Sequence, residues 1–178
     1  CLVLWGFFKF FNKPSFAIAA LIGLAMGLLT LIRPTDILVL LFPIAYWALS
    51  RTRPALQSIW PHLLLAAVLG VLIISPQFFY WHWATGHWLV YSYNDESFFF
   101  TDPEIWKGYF SYRKGWFTYS PILFAALPGF VLLFRLKRKL FWGAIITVFA
   151  ASYVTFSWWC WWYGGGFGAR PMIEFLPF

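Results

Sequence analysis

Charge is what this chain lacks. Only 11% of its 178 residues are charged, against about 25% in an ordinary soluble domain. Six are acidic, while 62% are hydrophobic and 25% aromatic. Too few polar side chains exist to cover a water-facing surface, which excludes a soluble domain and makes the bilayer the solvent that fits. Cysteine is scarce as well. Cys1 and Cys160 are the only two, their spacing makes no zinc site, and they read as packed thiols rather than a disulfide. A basic start followed by a short apolar stretch and a small-residue cleavage site is missing, so no signal peptide is read. The opening apolar run stops at Phe8, before Lys9. That is half a span, and the chain is expected to be a fragment of something longer. Neither an internal repeat nor a low-complexity linker divides it, and a single transmembrane domain over 1–178 is the simplest organisation.

What is present is a succession of apolar runs: Ser15 to Ile32, Asp36 to Leu49, Pro61 to Tyr80, Tyr119 to Phe134 and Leu140 to Ser157. They predict an all-α, polytopic membrane helical bundle of about five spans plus a truncated first one at 1–8. Several runs fall short of the ~20 residues that a perpendicular helix needs, so short or half-buried helices are expected. The stretch from Ser15 to Leu49 is too long for one span and is interrupted by Arg33-Pro34-Thr35-Asp36. Proline lacks the backbone donor and disfavours helix in the residue before it, so two helices meeting at a hairpin are predicted there.

Basic residues are retained in short cytoplasmic loops. The loops at 9–13, 50–54 and 135–139 hold Lys9, Lys13, Arg51, Arg53, Arg135, Lys137, Arg138 and Lys139, eight basic residues and no acid. Alternation places Arg33, Lys107, Arg113, Lys114 and Arg170 outside with all six acids. The net charge of +7 is thereby a positive-inside signal. It is no nucleic-acid surface, because the cations are scattered over short loops rather than gathered on one face.

The long polar segment from 81 to 118 alternates aromatics with charges, which suits an extracytoplasmic loop lying along the headgroups. Within it a helix from Pro103 to Tyr112 is predicted, capped by Asp102, with Ile105, Trp106, Tyr109 and Phe110 on one interfacial face. Arg33 ends a span beside proline. It reads either as a partner of Asp36 or a snorkelling charge, or as a cation meeting a phosphate at the membrane edge. Arg113 with Lys114, and Arg170, carry the same pair of readings. Gly164-x-Gly166-x-x-Ala169 fits a dinucleotide fingerprint in letters only. A tryptophan-rich span precedes it instead of a strand, and no lysine-serine pair of a phosphate loop follows. What survives is a turn with exposed backbone donors next to Arg170. His82 and His87, five apart, do not share a helix face and are read as interface histidines rather than metal ligands.

Three segments, GLLTLIRPTDILVLLFP, RKGWFTYSPILFAALPG and WWCWWYGGGFGARP, lie in that order on the same outer face. Together they resemble the bacterial polytopic glycosyltransferases of the GT-C superfamily, of the protein mannosyltransferase or aminoarabinose transferase type. The resemblance runs from about Ser15 to Pro171. It implies an enzyme of the bacterial inner membrane that passes a sugar from a polyprenyl-phosphate carrier to a hydroxyl on lipid, glycan or protein at the extracytoplasmic face. Such enzymes take their catalytic base from a carboxylate in the first extracytoplasmic loop, expected upstream of Cys1. The catalytic residue is therefore unassigned here. Arg33, Arg113 and Arg170 would hold the donor phosphate, and Trp158, Trp159, Trp161 and Trp162 either stack on a sugar or anchor the interface. Some relatives use a divalent metal; the chain offers no convincing ligand set, so no cofactor is assigned.

Two other classes compete. A transporter or flippase for lipid-linked glycans would place ionisable residues near mid-membrane on broken helices, and apart from Arg33 and Asp36 at a helix end the spans here carry no charges. A non-catalytic membrane subunit would leave the three arginines without a common target.

Overall fold

The computed structural model describes residues 1–50, 54–91, 93, 95–165 and 168–178. The expectations attached to Arg51, Arg53 and Gly166 lie outside the described residues. The chain is all-helical, and among the described residues the only extended pairing is an isolated antiparallel bridge between Phe98 and Trp158. It forms two compact units, Cys1–Ile37 with Ser50–Asn94, and Leu38–Leu49 with Asp95–Phe178. Among the described residues two helices are long and apolar enough to cross a membrane, Leu56–Thr85 and Arg138–Phe156. The other apolar helical stretches, Leu2–Asn12, Phe16–Ile32, Pro34–Ala48 and Pro121–Leu136, are shorter.

The first unit is built from α1 (Leu2–Asn12), α2 (Phe16–Ile32) and α4 (Leu56–Thr85). Ser15 caps α2, its side chain accepting the Ile18 N–H at 3.3 Å. The helix ends at Ile32, and Arg33 turns to extended backbone ahead of Pro34. Close approach, rather than large side chains, holds α2 to α4. A Cβ added at Gly23 would collide with the backbone of Ala66, and one at Gly27 would come within 2.8 Å of the Gly70 carbonyl and of Ile73. This is the spacing of a small-xxx-small face, which lets two helix backbones touch where lipid offers no hydrophobic drive to associate.

The 30 residues of α4 include Pro61 and Pro76. Pro76 has no N–H for the Leu72 carbonyl, and the Ser75 hydroxyl donates to that carbonyl at 2.9 Å instead, so the helix continues past the proline. At about 1.5 Å per residue α4 exceeds the ~30 Å hydrocarbon thickness. It also runs past Tyr80 into the segment expected to be loop, stopping at Gly86, whose φ of 77° is the left-handed cap. Tryptophan and histidine tolerate helix, and glycine is the first residue there suited to the reversal. Trp88 then folds back flat on His82, rings 4.2 Å apart and 3° from parallel.

The second unit holds α3 (Leu41–Ala48), α5 (Ile105–Phe110), α6 (Trp116–Tyr119), α7 (Ala126–Leu136) and α8 (Arg138–Phe156), with 3-10 turns at Pro121–Ala125 and Arg170–Phe175. The run read as Tyr119 to Phe134 is divided, because Pro121 donates no hydrogen bond and disfavours helix at Ser120. Helix α8 buries a stripe of mostly small residues, including Gly143, Ala144, Thr147, Ala151, Ser152 and Thr155. Gly143 receives the Phe42 ring of α3, which an added Cβ would meet at 3.0 Å. The predicted helix from Pro103 with an Asp102 cap is corrected: α5 starts at Ile105 after Glu104 and has no side-chain cap. The Glu104 N–H donates to the Phe156 carbonyl at 2.9 Å, and this contact with the end of α8 draws the preceding residues out of the helix.

Replacing Gly27 by Leu should force α2 from α4 and lower stability by about 3 kcal/mol, the upper range for overpacking. Gly129, with no atom within 4 Å of an added Cβ, serves as the control. Gly129→Ala should stabilise α7 by roughly 0.5–1 kcal/mol. Thermal melting in detergent compares the two variants.

Candidate functional site

The end of α8 organises everything around it. Beyond Phe156 its last carbonyls have no partner within the helix, and residues from distant segments supply donors. The Phe99 N–H donates to the Ser157 carbonyl at 2.6 Å, and the Trp159 N–H donates back to Ser97 at 3.1 Å. The Tyr153 hydroxyl donates to Phe100 at 2.6 Å, and the Tyr163 hydroxyl donates to Thr155 at 2.7 Å. Aromatic rings close over this frame: Phe98 meets Phe100 at 5.2 Å and Trp158 at 4.7 Å.

Next to that frame lies the cation pair. The turn from Ser111 closes with the Gly115 N–H on the Ser111 carbonyl at 2.8 Å, and the Ser111 hydroxyl accepts the Arg113 N–H at 3.1 Å. The turn thereby sends Arg113 and Lys114 toward the tryptophan-glycine stretch. The Arg113 guanidinium lies over the Trp162 ring, 3.9 Å from its centroid, and the Lys114 ammonium donates to the Gly164 carbonyl. The backbone follows a tight path here. Tyr163 and Gly164 are consecutive left-handed residues, φ 50° and 62°. The tyrosine hydroxyl's bond to Thr155 anchors a conformation that a non-glycine residue rarely adopts. Gly168 has φ 54° and an added Cβ would meet Tyr119 at 3.0 Å.

The tryptophans divide by environment. Trp161 is buried, Trp158 is half-buried against Phe98, Trp162 is half-buried under Arg113, and Trp159 is exposed. Arg170 is exposed at the start of its 3-10 turn, which buries Pro171, Met172 and Phe175. Arg33 belongs to the first unit and is half-buried at the end of α2. Its carbonyl accepts the Asp36 N–H at 3.0 Å, and Asp36 is 1% exposed. His82 is stacked on Trp88. Among the described residues no three of His, Cys, Asp and Glu gather as a metal site. Cys1 and Cys160 are free thiols.

Two features carry no single-residue signal in the sequence. One is an apolar cavity of about 440 Å³, lined by Tyr109 and Phe110 of α5, Trp116 and Phe117 of α6, residues of α7 and α8, and Phe175 and Phe178. The other is the seat of Tyr109. Its neighbour Gly108 lies so close to the Phe156 ring that a Cβ would overlap it, and this brings the Tyr109 hydroxyl within 2.5 Å of the Ser152 hydroxyl. The Ser152 proton is committed to the Val148 carbonyl at 2.7 Å, so Tyr109 is the donor of the pair. Burial raises the Tyr109 phenol above its ordinary value of 10.0.

Comparison with protein-family models, curated proteins and solved structures finds no match for this chain. Fold and site together define an all-helical protein with, among the described residues, two helices long and apolar enough to cross a membrane and an aromatic end bearing an exposed arginine that lies over a tryptophan ring.

The Tyr109 proton is held more tightly in the folded chain than in the unfolded one. Its contribution is therefore complete below pH ~10 and is lost as pH rises toward the raised folded value. Melting temperature in detergent between pH 9 and 11 should fall more steeply for the native protein than for Tyr109→Phe. At neutral pH that substitution should cost about 1 kcal/mol through the missing hydrogen bond.

Proposed function

We propose that the chain is part of a polytopic membrane glycosyltransferase of the GT-C type, moving a sugar from a polyprenyl-phosphate carrier to an acceptor hydroxyl at the extracytoplasmic face of the bacterial inner membrane. The observation that carries this reading is the Arg113 guanidinium lying over Trp162, 3.9 Å from the ring centroid. A cation held on an aromatic face keeps its full charge, and its N–H donors stay available to a phosphate. When the bond between sugar and phosphate breaks, negative charge grows on the phosphate oxygens. A fixed guanidinium stabilises that charge without first having to reorganise. Arg33 and Arg170 are the further phosphate cations that the resemblance implies.

The apolar cavity of about 440 Å³ favours the same donor class, since its lining suits a hydrocarbon chain and offers little to a nucleotide. The donor arrives already activated by its phosphate and already in the membrane, so no soluble nucleotide has to be bound. The acceptor is a hydroxyl of lipid, glycan or protein. Of Trp158, Trp159, Trp161 and Trp162, exposed Trp159 suits the headgroup level best.

Two experiments test the reading. In the full-length protein Arg33→Ala and Arg113→Ala should each reduce sugar transfer from a polyprenyl-phosphate donor by at least about tenfold, the scale of a lost charge-assisted contact. Membrane insertion should be unaffected, and unchanged transfer in both would remove the phosphate role. For orientation, cysteines replacing exposed Tyr112 and Lys137 should label from opposite faces of the membrane. Labelling of both from outside would overturn the assignment of 135–139 as cytoplasmic.

A further inference from the structure

We infer that Trp162 is a positioning residue for Arg113, its indole face setting the plane of the guanidinium so that ring and cation recognise a phosphate as one unit. This rests on the reading of Arg113 as a phosphate contact.

Arginine on an exposed turn ordinarily samples many rotamers, and its planar fork is useful only when it faces its target. Here both partners are held. Trp162 stands edge-on to Trp161 at 5.7 Å and 86°, and to Trp159 at 6.3 Å and 70°. Trp161 is 9% exposed, so the ring that carries the cation is braced from the protein side. On the other partner, the Ser111 hydroxyl takes the Arg113 N–H, and Lys114 ties the same turn to the Gly164 carbonyl. That second contact also separates the two cations by task. Lys114 spends a donor on the backbone and fastens the turn, while Arg113 remains exposed.

The chemistry follows from the stacking. The guanidinium carbon, 3.9 Å from the ring centroid, is at stacking distance, and a guanidinium stacked parallel on an indole has its N–H bonds directed sideways rather than into the ring. Two parallel donors then meet two oxygens of a phosphate approaching edge-on, a bidentate arrangement. A carboxylate partner would hold the arginine equally well but would cancel its charge and occupy its donors. An indole does neither, and the tryptophan at 162 thereby acquires a role distinct from anchoring.

The test measures binding of a radiolabelled polyprenyl phosphate to the full-length protein in detergent. Arg113→Ala should weaken binding by about tenfold or more. Trp162→Leu should weaken it by about fivefold, and the double variant should bind no more weakly than Arg113→Ala alone, because the ring acts only through the cation. Trp162→Phe, which keeps an aromatic face, should recover most of the loss. Arg113→Lys keeps the charge but loses the planar fork, and should bind at least about fivefold more weakly than the native protein. It decides the matter independently if Trp162→Leu fails to fold. If Arg113→Ala weakens binding while Trp162→Leu does not, or if their effects multiply, the positioning role is overturned and the phosphate contact stands. Native affinity in Arg113→Lys overturns the positioning role in the same way. Native affinity in Arg113→Ala removes the phosphate contact itself.

Discussion

The last turn of α8 presents carbonyls that the helix cannot pair, and the outer part of the second unit is arranged by the donors that reach them. Phe99 and Glu104 supply backbone N–H groups to Ser157 and Phe156, and Tyr163 supplies its hydroxyl to Thr155. A helix end in a chain this poor in polar side chains has few other ways to satisfy its orphan groups. Once 97–104 is fastened there, α5 must begin late, Gly108 must lie on Phe156, and Tyr109 must reach Ser152. The same anchoring fixes Tyr163 in a left-handed conformation and turns the Gly164 carbonyl toward Lys114.

The first unit solves a different problem by a different means. Its two largest helices bear few groups that could hydrogen-bond across their contact, and the pairing of α2 with α4 rests on backbone proximity at Gly23, Gly27, Ala66 and Gly70. Dispersion over a close surface replaces polar fastening. Even the one repair of a helix bond inside α4 is local, with Ser75 serving the carbonyl that Pro76 leaves vacant. One unit is thus held by removal of side chains, and the other by side chains and loops brought to a helix end.

For function, the important consequence is where charge is tolerated. Arg113 is exposed, yet lies over an aromatic ring, and a mostly apolar cavity lies in the same unit. An amphipathic ligand with an anionic head and a hydrocarbon tail matches both features in kind. A polyprenyl phosphate is such a ligand, and this is the sense in which the geometry favours the proposed donor over a soluble one.

Helical class and the interruption of helix at Arg33-Pro34 were legible in the residues, because apolar periodicity and proline act through near neighbours. The amino-acid sequence by itself determined that the chain is helical, that Ser15 begins a helix and that the chain breaks before Pro34. Asp102 misled because capping was judged locally, whereas the donors near it are claimed by a helix end more than fifty residues on. Arg113 and Trp162 were each conspicuous, but nothing in their spacing pairs them; Lys114 and Gly164 meet across fifty residues. Tertiary structure alone decided which carbonyls of α8 are capped by which loop, that Tyr109 donates to Ser152, and that Arg113 rests on one tryptophan out of four. Those outcomes depend on which surfaces come together in space, and residues that meet only after folding leave no periodic trace in the sequence.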